Sequence, residues 1–199
     1  MIINEDFIPK RKASDRLPPG QYEERDFPVL SFGPTPDIDI DTWKLEITGL
    51  VKNSLSWNWE EFNALKKERV KKDIHCVTKW SKFDTNWEGV SLDTLIGLAE
   101  VSDSATHLIA HSYDGYTTNV PLEDVVDGQA MIATAYDSDP IEAKHGGPAR
   151  LLVPHLYFWK SAKWVRTLEF TDRDHPGFWE TRGYHNYGDP WREERYTDD

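Results

Sequence analysis

Sulfur and basic residues are both scarce in this chain. Its 199 residues include one cysteine, Cys76, and two methionines. A single thiol forms no disulfide within the chain and cannot supply the multi-cysteine sets of structural zinc or iron–sulfur centres. No apolar run approaches the roughly 18 residues of a membrane helix, and the opening stretch MIINEDFIPKRKASD has no apolar export core. The expectation is a cytoplasmic chain with no membrane insertion. Lys and Arg number 23 against 35 Asp and Glu, a formal charge of −12. That balance argues against nucleic-acid binding, which needs a basic face. It leaves room for an anionic ligand, because salt confines surface fields to about 8 Å. Where the few cations sit therefore matters more than their sum.

With 38% hydrophobic, 13% aromatic and 29% charged residues, the composition is that of a folded domain. Residues 1–41 read as irregular, although Phe27-Pro28-Val29-Leu30-Ser31-Phe32-Gly33 is too apolar for a solvated leader and should dock. Period-two alternation predicts a strand from Thr42 to about Gly49, and Asn58 with Glu61 predicts a capped helix to about Lys67. Val70–Cys76 reads as a strand, and Ser91 caps a helix over Leu92 to about Ala99. Further strands are expected at 106–112, 116–120, 130–136, 149–153 and 164–171, with a short helix opened by Pro121 and a turn at 137–140. Strands outnumber helices without alternating with them, so the expected class is α+β, mostly β with a few short helices. Beyond Asp172 the chain has little periodicity, but its aromatics, Trp179 to Trp191, predict that it folds back over a site.

Candidate chemistry lies in three places. Cys76 ends an apolar alternation just before a polar turn, where it is either an inert buried thiol or, with Lys79 nearby, a thiolate. His107 and His111 have the spacing of helical metal ligands, but they read as strand residues about 13 Å apart and cannot share an ion. The second place is basic. His145-Gly146-Gly147-Pro148-Ala149-Arg150 and Trp159-Lys160-Ser161-Ala162-Lys163-Trp164 both lead into strands. His145, Arg150, Lys160 and Lys163 could clamp a phosphate, with the glycines admitting it closely, or could be ordinary surface cations. The third is the aromatic tail, where Tyr184 or His185 could orient an oxyanion or simply pack.

Read in order, these pieces resemble the molybdopterin-binding domain of the sulfite oxidase family, including the bacterial catalytic subunit of methionine sulfoxide reductase. The likeness rests on His75-Cys76-Val77 with Trp80-Ser81, Trp87-Glu88-Gly89-Val90, Leu92-Asp93-Thr94-Leu95, Gly115-Tyr116-Thr117-Thr118, His145 to Arg150, and Lys163-Trp164. It covers residues 28–191, leaving 1–27 as an extension and 192–199 as a tail. The resemblance implies a sulfite oxidase-type fold and a molybdenum–molybdopterin cofactor. It makes Cys76 the molybdenum ligand and Tyr184 an active-site residue. Ser31, Phe32, His111, Ser112, His145, Arg150, Ser161, Ala162 and Lys163 become cofactor contacts. It further implies oxygen-atom transfer to or from a small oxo-anion, sulfoxide or N-oxide, with an unidentified electron-transfer partner. The arginine-asparagine-histidine stretch of sulfite oxidases is Leu30-Ser31-Phe32 here, which counts against sulfite. Two other readings stay open: a cysteine nucleophile using Cys76 with His111 or His155, and a noncatalytic anion- or partner-binding module.

Overall fold

The computed structural model describes residues 15–199; the first fourteen residues of the expected irregular leader lie outside it. In chain order the elements are β1 (Tyr22–Glu23), β2 (Lys44–Gly49), β3 (Leu55–Asn58), α1 (Trp59–Asn63), β4 (Glu68–His75) and β5 (Trp80–Ser91). They continue with α2 (Leu92–Ala99), β6 (His107–Ser112), β7 (Thr117–Pro121), β8 (Met131–Tyr136), β9 (Asp139–Pro140), β10 (Arg150–Leu152) and β11 (Val165–Thr171). One sheet runs β1-β5-β8-β10, with β4 also on β5 and β9 on β8; the other runs β3-β2-β11-β6-β7. The chain adopts the expected mostly β fold with few short helices: two are α-helices, and the one expected after Pro121 is a single 3₁₀ turn, Leu122–Asp124.

Local chemistry accounts for both helices. Asn58 accepts from the Glu61 amide while the Glu61 carboxylate accepts from Asn58, a reciprocal capping box. α1 nevertheless ends at Asn63, four residues earlier than expected, because Glu68 to Lys72 are drawn into pairing with β5. Ser91 caps α2 through the Thr94 amide, and Glu100 closes it in the left-handed region.

The first sheet is buried on both faces. Ile132 and Leu151 join a core with Leu45, Leu95, Leu108 and Phe170, so they pack towards the second sheet. Their neighbours Met131, Ala133 and Leu152 face the other way, into a smaller cluster with Ile74, Cys76, Trp80, Trp87 and Trp159. Side chains alternate across a strand, so adjacent residues feed separate cores. The smaller core is the one that carries the site.

The flanking segments are built into the same body. β1 pairs in parallel with β5, Tyr22 opposite Trp80 and Glu23 opposite Ser81. Glu194 and Arg195 are buried, and the Arg195 guanidinium stacks over Tyr157 and donates to the Pro19 carbonyl. The tail returns across β7 at Gly177, where a Cβ would lie 2.4 Å from the Thr117 carbonyl oxygen.

Candidate functional site

The strand expected to reach Cys76 stops at His75, and Cys76 opens the tight turn into β5. Its amide donates to the Trp80 carbonyl, its carbonyl accepts from Lys79, and Lys79 takes a positive φ of 75°. A second donor to that carbonyl is Gln21 Nε2 at 3.1 Å, so the N-terminal segment braces the turn from behind. Cys76 is 7% exposed, and the Thr78 hydroxyl donates to its Sγ at 3.1 Å. Burial pushes the thiol pKa up; the Thr78 hydrogen bond and the charge of Lys163 act against that without reversing it. A cation that favours the thiolate is Lys163, which lines the same cavity.

Cys76 lines a cavity of about 270 Å³ whose other walls include Arg150, Ser161, Ala162 and Lys163. Arg150 is 1% exposed and has no carboxylate partner among the described residues. Its Nη1 and Nη2 donate to the carbonyls of His145 and Ser161, its guanidinium lies 4.2 Å from the Phe158 ring, and its Nε has no partner. Burial pulls its pKa down to about 9. Lys163 donates 2.8 Å bonds to three neutral oxygens, the Leu30 and Lys144 carbonyls and Ser31 Oγ. Burial and then Arg150 lower its pKa to about 8. The backbone amides of Ala162 and Lys163 find no acceptor among the described residues. Two cations without a bonded carboxylate, Arg150 and Lys163, line one hollow, an arrangement an anion would complete.

The returning tail closes the remaining side. Tyr184 stacks on Trp179 at 4.8 Å and packs edge-on against Trp159 at 5.0 Å, and all three line the cavity. The Tyr184 hydroxyl has no partner among the described residues, and burial raises its pKa. Glu180 holds this segment down. Its Oε1 accepts from Thr118, from the Trp159 indole and from Lys160, whose Nζ lies 2.7 Å away, fully buried.

Several expected contacts fall elsewhere. Lys160, read as a phosphate clamp, is consumed by Glu180, Asn119 and Asn186. His111 and Ser112 lie in β6 and do not line the cavity; His111 Nε2 pairs with Glu169 at 2.9 Å. His155 is likewise engaged, with Asp124, so neither histidine proposed to activate Cys76 reaches it. His145 lines the cavity, stacked on Phe27 at 4.2 Å, but burial and Lys163 lower its pKa to about 4. The imidazole is neutral at pH 7, so the standing positive charges of the cavity are those of Arg150 and Lys163. Gly146 and Gly147 do not open space for a ligand: added Cβ atoms would meet the Lys163 side chain and the Ile141 carbonyl. Ser31 and Phe32 do line the cavity. Thr78, Asp114, Tyr116 and Phe27 were not singled out, although Tyr116 belongs to the Gly-Tyr-Thr-Thr motif.

Residues 32–179 match the family model described as oxidoreductase molybdopterin binding domain. The chain belongs to that family. It is 43% identical over 195 residues to the uncharacterized oxidoreductase YuiH of Bacillus subtilis, covering 96% of this chain and 98% of that one. It is 26% identical to the protein-methionine-sulfoxide reductase catalytic subunit MsrP of Gluconobacter oxydans over 73% of this chain; it spans 52% of that relative's length. Among solved structures, the sulfane dehydrogenase SoxCD of Paracoccus pantotrophus superposes with a TM-score of 0.63 at 23% identity, over 70% of this chain and 40% of that one. That likeness shows the shared fold. The chain is therefore an oxidoreductase of the molybdopterin class, and molybdenum–molybdopterin is its cofactor. The residues fit such a group. A pterin phosphate would find Lys163 and the buried charge of Arg150, whose Nε has no partner inside the protein, at the cavity that also holds the only thiol. Among the described residues no helix is long and apolar enough to cross a membrane.

Proposed function

We propose that the chain catalyses oxygen-atom transfer, with the Cys76 thiolate as protein ligand to molybdenum and Arg150, Ser161, Ala162 and Lys163 holding the pterin phosphate. One observation carries this reading: the lone thiol and the uncompensated guanidinium line the same cavity. A buried free thiol with a raised pKa is a poor nucleophile at neutral pH, but a metal ligand is deprotonated outright. When bound, the cofactor supplies a metal that gives or takes two electrons as one oxygen atom is moved.

The chain's own residues do the rest. The turn at Cys76, braced by Gln21, fixes where the sulfur points. Thr78 donates to the sulfur and disperses charge on a thiolate. Tyr184 keeps its proton at neutral pH and has an unclaimed hydroxyl to offer a substrate oxygen. Trp159 and Trp179, packed on its ring, keep water from its flanks. Reduction of an oxide consumes two electrons and two protons and releases water; oxidation runs the same balance backwards. The electrons pass to or from a separate electron-transfer partner. The relative's name, methionine sulfoxide reductase, supports a sulfoxide among the substrates.

The test is alkylation of Cys76 with iodoacetamide in metal-loaded and metal-depleted protein, with molybdenum measured alongside. The thiol should resist at every pH in the loaded form; once the metal is lost it should react slowly at neutral pH and faster as the pH is raised, because burial holds its pKa up. Turnover by a preparation free of molybdenum would overturn the proposal in favour of a cysteine nucleophile.

A further inference from the structure

The charges of the cavity bear on what can enter beside the cofactor. Its charged lining residues are Arg150, Lys163 and Asp114. A phosphate monoester carries about −1.5 to −2 near neutrality, so the two cations are matched by the pterin tail alone. What is left is Asp114, which repels a second anion. Arg182 does not line the cavity; its guanidinium lies 3.6 Å from the centre of the Phe178 ring. The cavity rim, by contrast, is apolar. Leu30 and Phe32 both line it and yet are 48% and 68% exposed, and the Phe32 ring rests 4.3 Å from Phe178 and 6.0 Å from Trp179. This rim is held in place, because Lys163 donates to the Leu30 carbonyl and to Ser31 between the two apolar side chains. Large apolar groups fixed in water around a cavity mouth are a binding surface waiting for a cover.

We propose that Leu30 and Phe32 form a substrate collar, and that the substrate is a neutral S- or N-oxide whose apolar body, an aryl or branched alkyl group, lies on it. The inference rests on the reading that the cofactor phosphate takes Arg150 and Lys163. It makes Phe32 a specificity residue for the substrate, where the family resemblance made it a cofactor contact. The reaction it serves is R₂SO plus two electrons and two protons giving R₂S and water, the electrons coming from a one-electron donor such as a reduced viologen.

The experiment compares methyl phenyl sulfoxide with dimethyl sulfoxide, using molybdenum-loaded enzyme and reduced methyl viologen. The aryl substrate should have a kcat/KM about tenfold higher, mostly through KM, as expected for partial burial of a ring. Phe32→Ala should bring that ratio towards one and Phe32→Trp should keep it. A ratio near one in the unaltered enzyme, a ratio indifferent to Phe32→Ala, or faster turnover of sulfite with ferricyanide would each overturn the collar. Binding of the unreactive methyl phenyl and dimethyl sulfones, followed by tryptophan fluorescence, separates the two proposals. Aryl preference that depends on Phe32 without turnover of any oxide would leave the collar standing and sink oxygen transfer. Turnover of both sulfoxides without preference would do the reverse.

Discussion

Lys160 and Lys163 stand three residues apart, the first fully buried and the second half-buried. Lys160 meets Glu180 at 2.7 Å and donates to three further oxygens, so its charge is answered inside the protein. Lys163, like Arg150 beside it, meets only neutral oxygens. Burial depresses all three, but Glu180 works against that at Lys160, whereas Arg150 presses Lys163 further and Asp114, which makes no hydrogen bond to it, offsets only part of that. A buried cation with its carboxylate is scaffold, here clamping the aromatic tail over the cavity. Buried cations without one stand where an anion is to come.

The comparison can be broken by substitution. Cys76→Ser should have the largest effect, taking turnover to background while molybdopterin stays bound, since the phosphate clamp is intact. Cofactor lost together with activity would show that the sulfur, and not the cations, anchors the group. Lys160→Met should come next, at a cost of about 3–5 kcal/mol in urea unfolding, because it strands the Glu180 carboxylate. In cofactor-free protein Arg150→Met should cost well under half as much, yet abolish pterin retention. Equal destabilisation by the two would make Arg150 scaffold after all.

Two pH effects sharpen the contrast. Inorganic phosphate should raise the Tm of cofactor-free protein, and this gain should fade as pH rises through about 8, where Lys163 loses its proton. Lys163→Met should flatten that dependence; an unchanged profile would remove Lys163 from the anion site. The smallest expected effect concerns His145, whose folded pKa of about 4 lies below its ordinary 6.5. The unfolded chain then takes up that proton first as pH falls, so stability is lost between about 6.5 and 4. His145→Gln should reduce the slope of Tm against pH in that window, with His75, also held near 4 by burial, supplying what remains.

Much of the fold could be read from the sequence because its strands alternate cleanly and its helices carry their own caps, as at Asn58 and Ser91. β5 could not. Its inward positions include Ser81 and Thr85, polar residues buried because they bond to His75, Lys72 and Trp87, so no hydrophobic period marks the strand. In the site, Cys76, Arg150, Lys163 and Tyr184 were visible as residue types at meaningful positions, and the structure brings them to one cavity. The opposite fates of Lys160 and Lys163 were not visible, since the deciding carboxylate, Glu180, arrives from an aperiodic tail. His111 and Ser112 lie off the cavity lining because β6 runs past it and only the loop beyond, at Asp114 and Tyr116, reaches in.

X-ray absorption at the molybdenum edge on loaded protein and on loaded Cys76→Ser tests the account most directly. The sulfur shell around the metal should lose one neighbour in the variant while the pterin content is unchanged. An identical sulfur shell in the two proteins would mean that Cys76 never touches the metal.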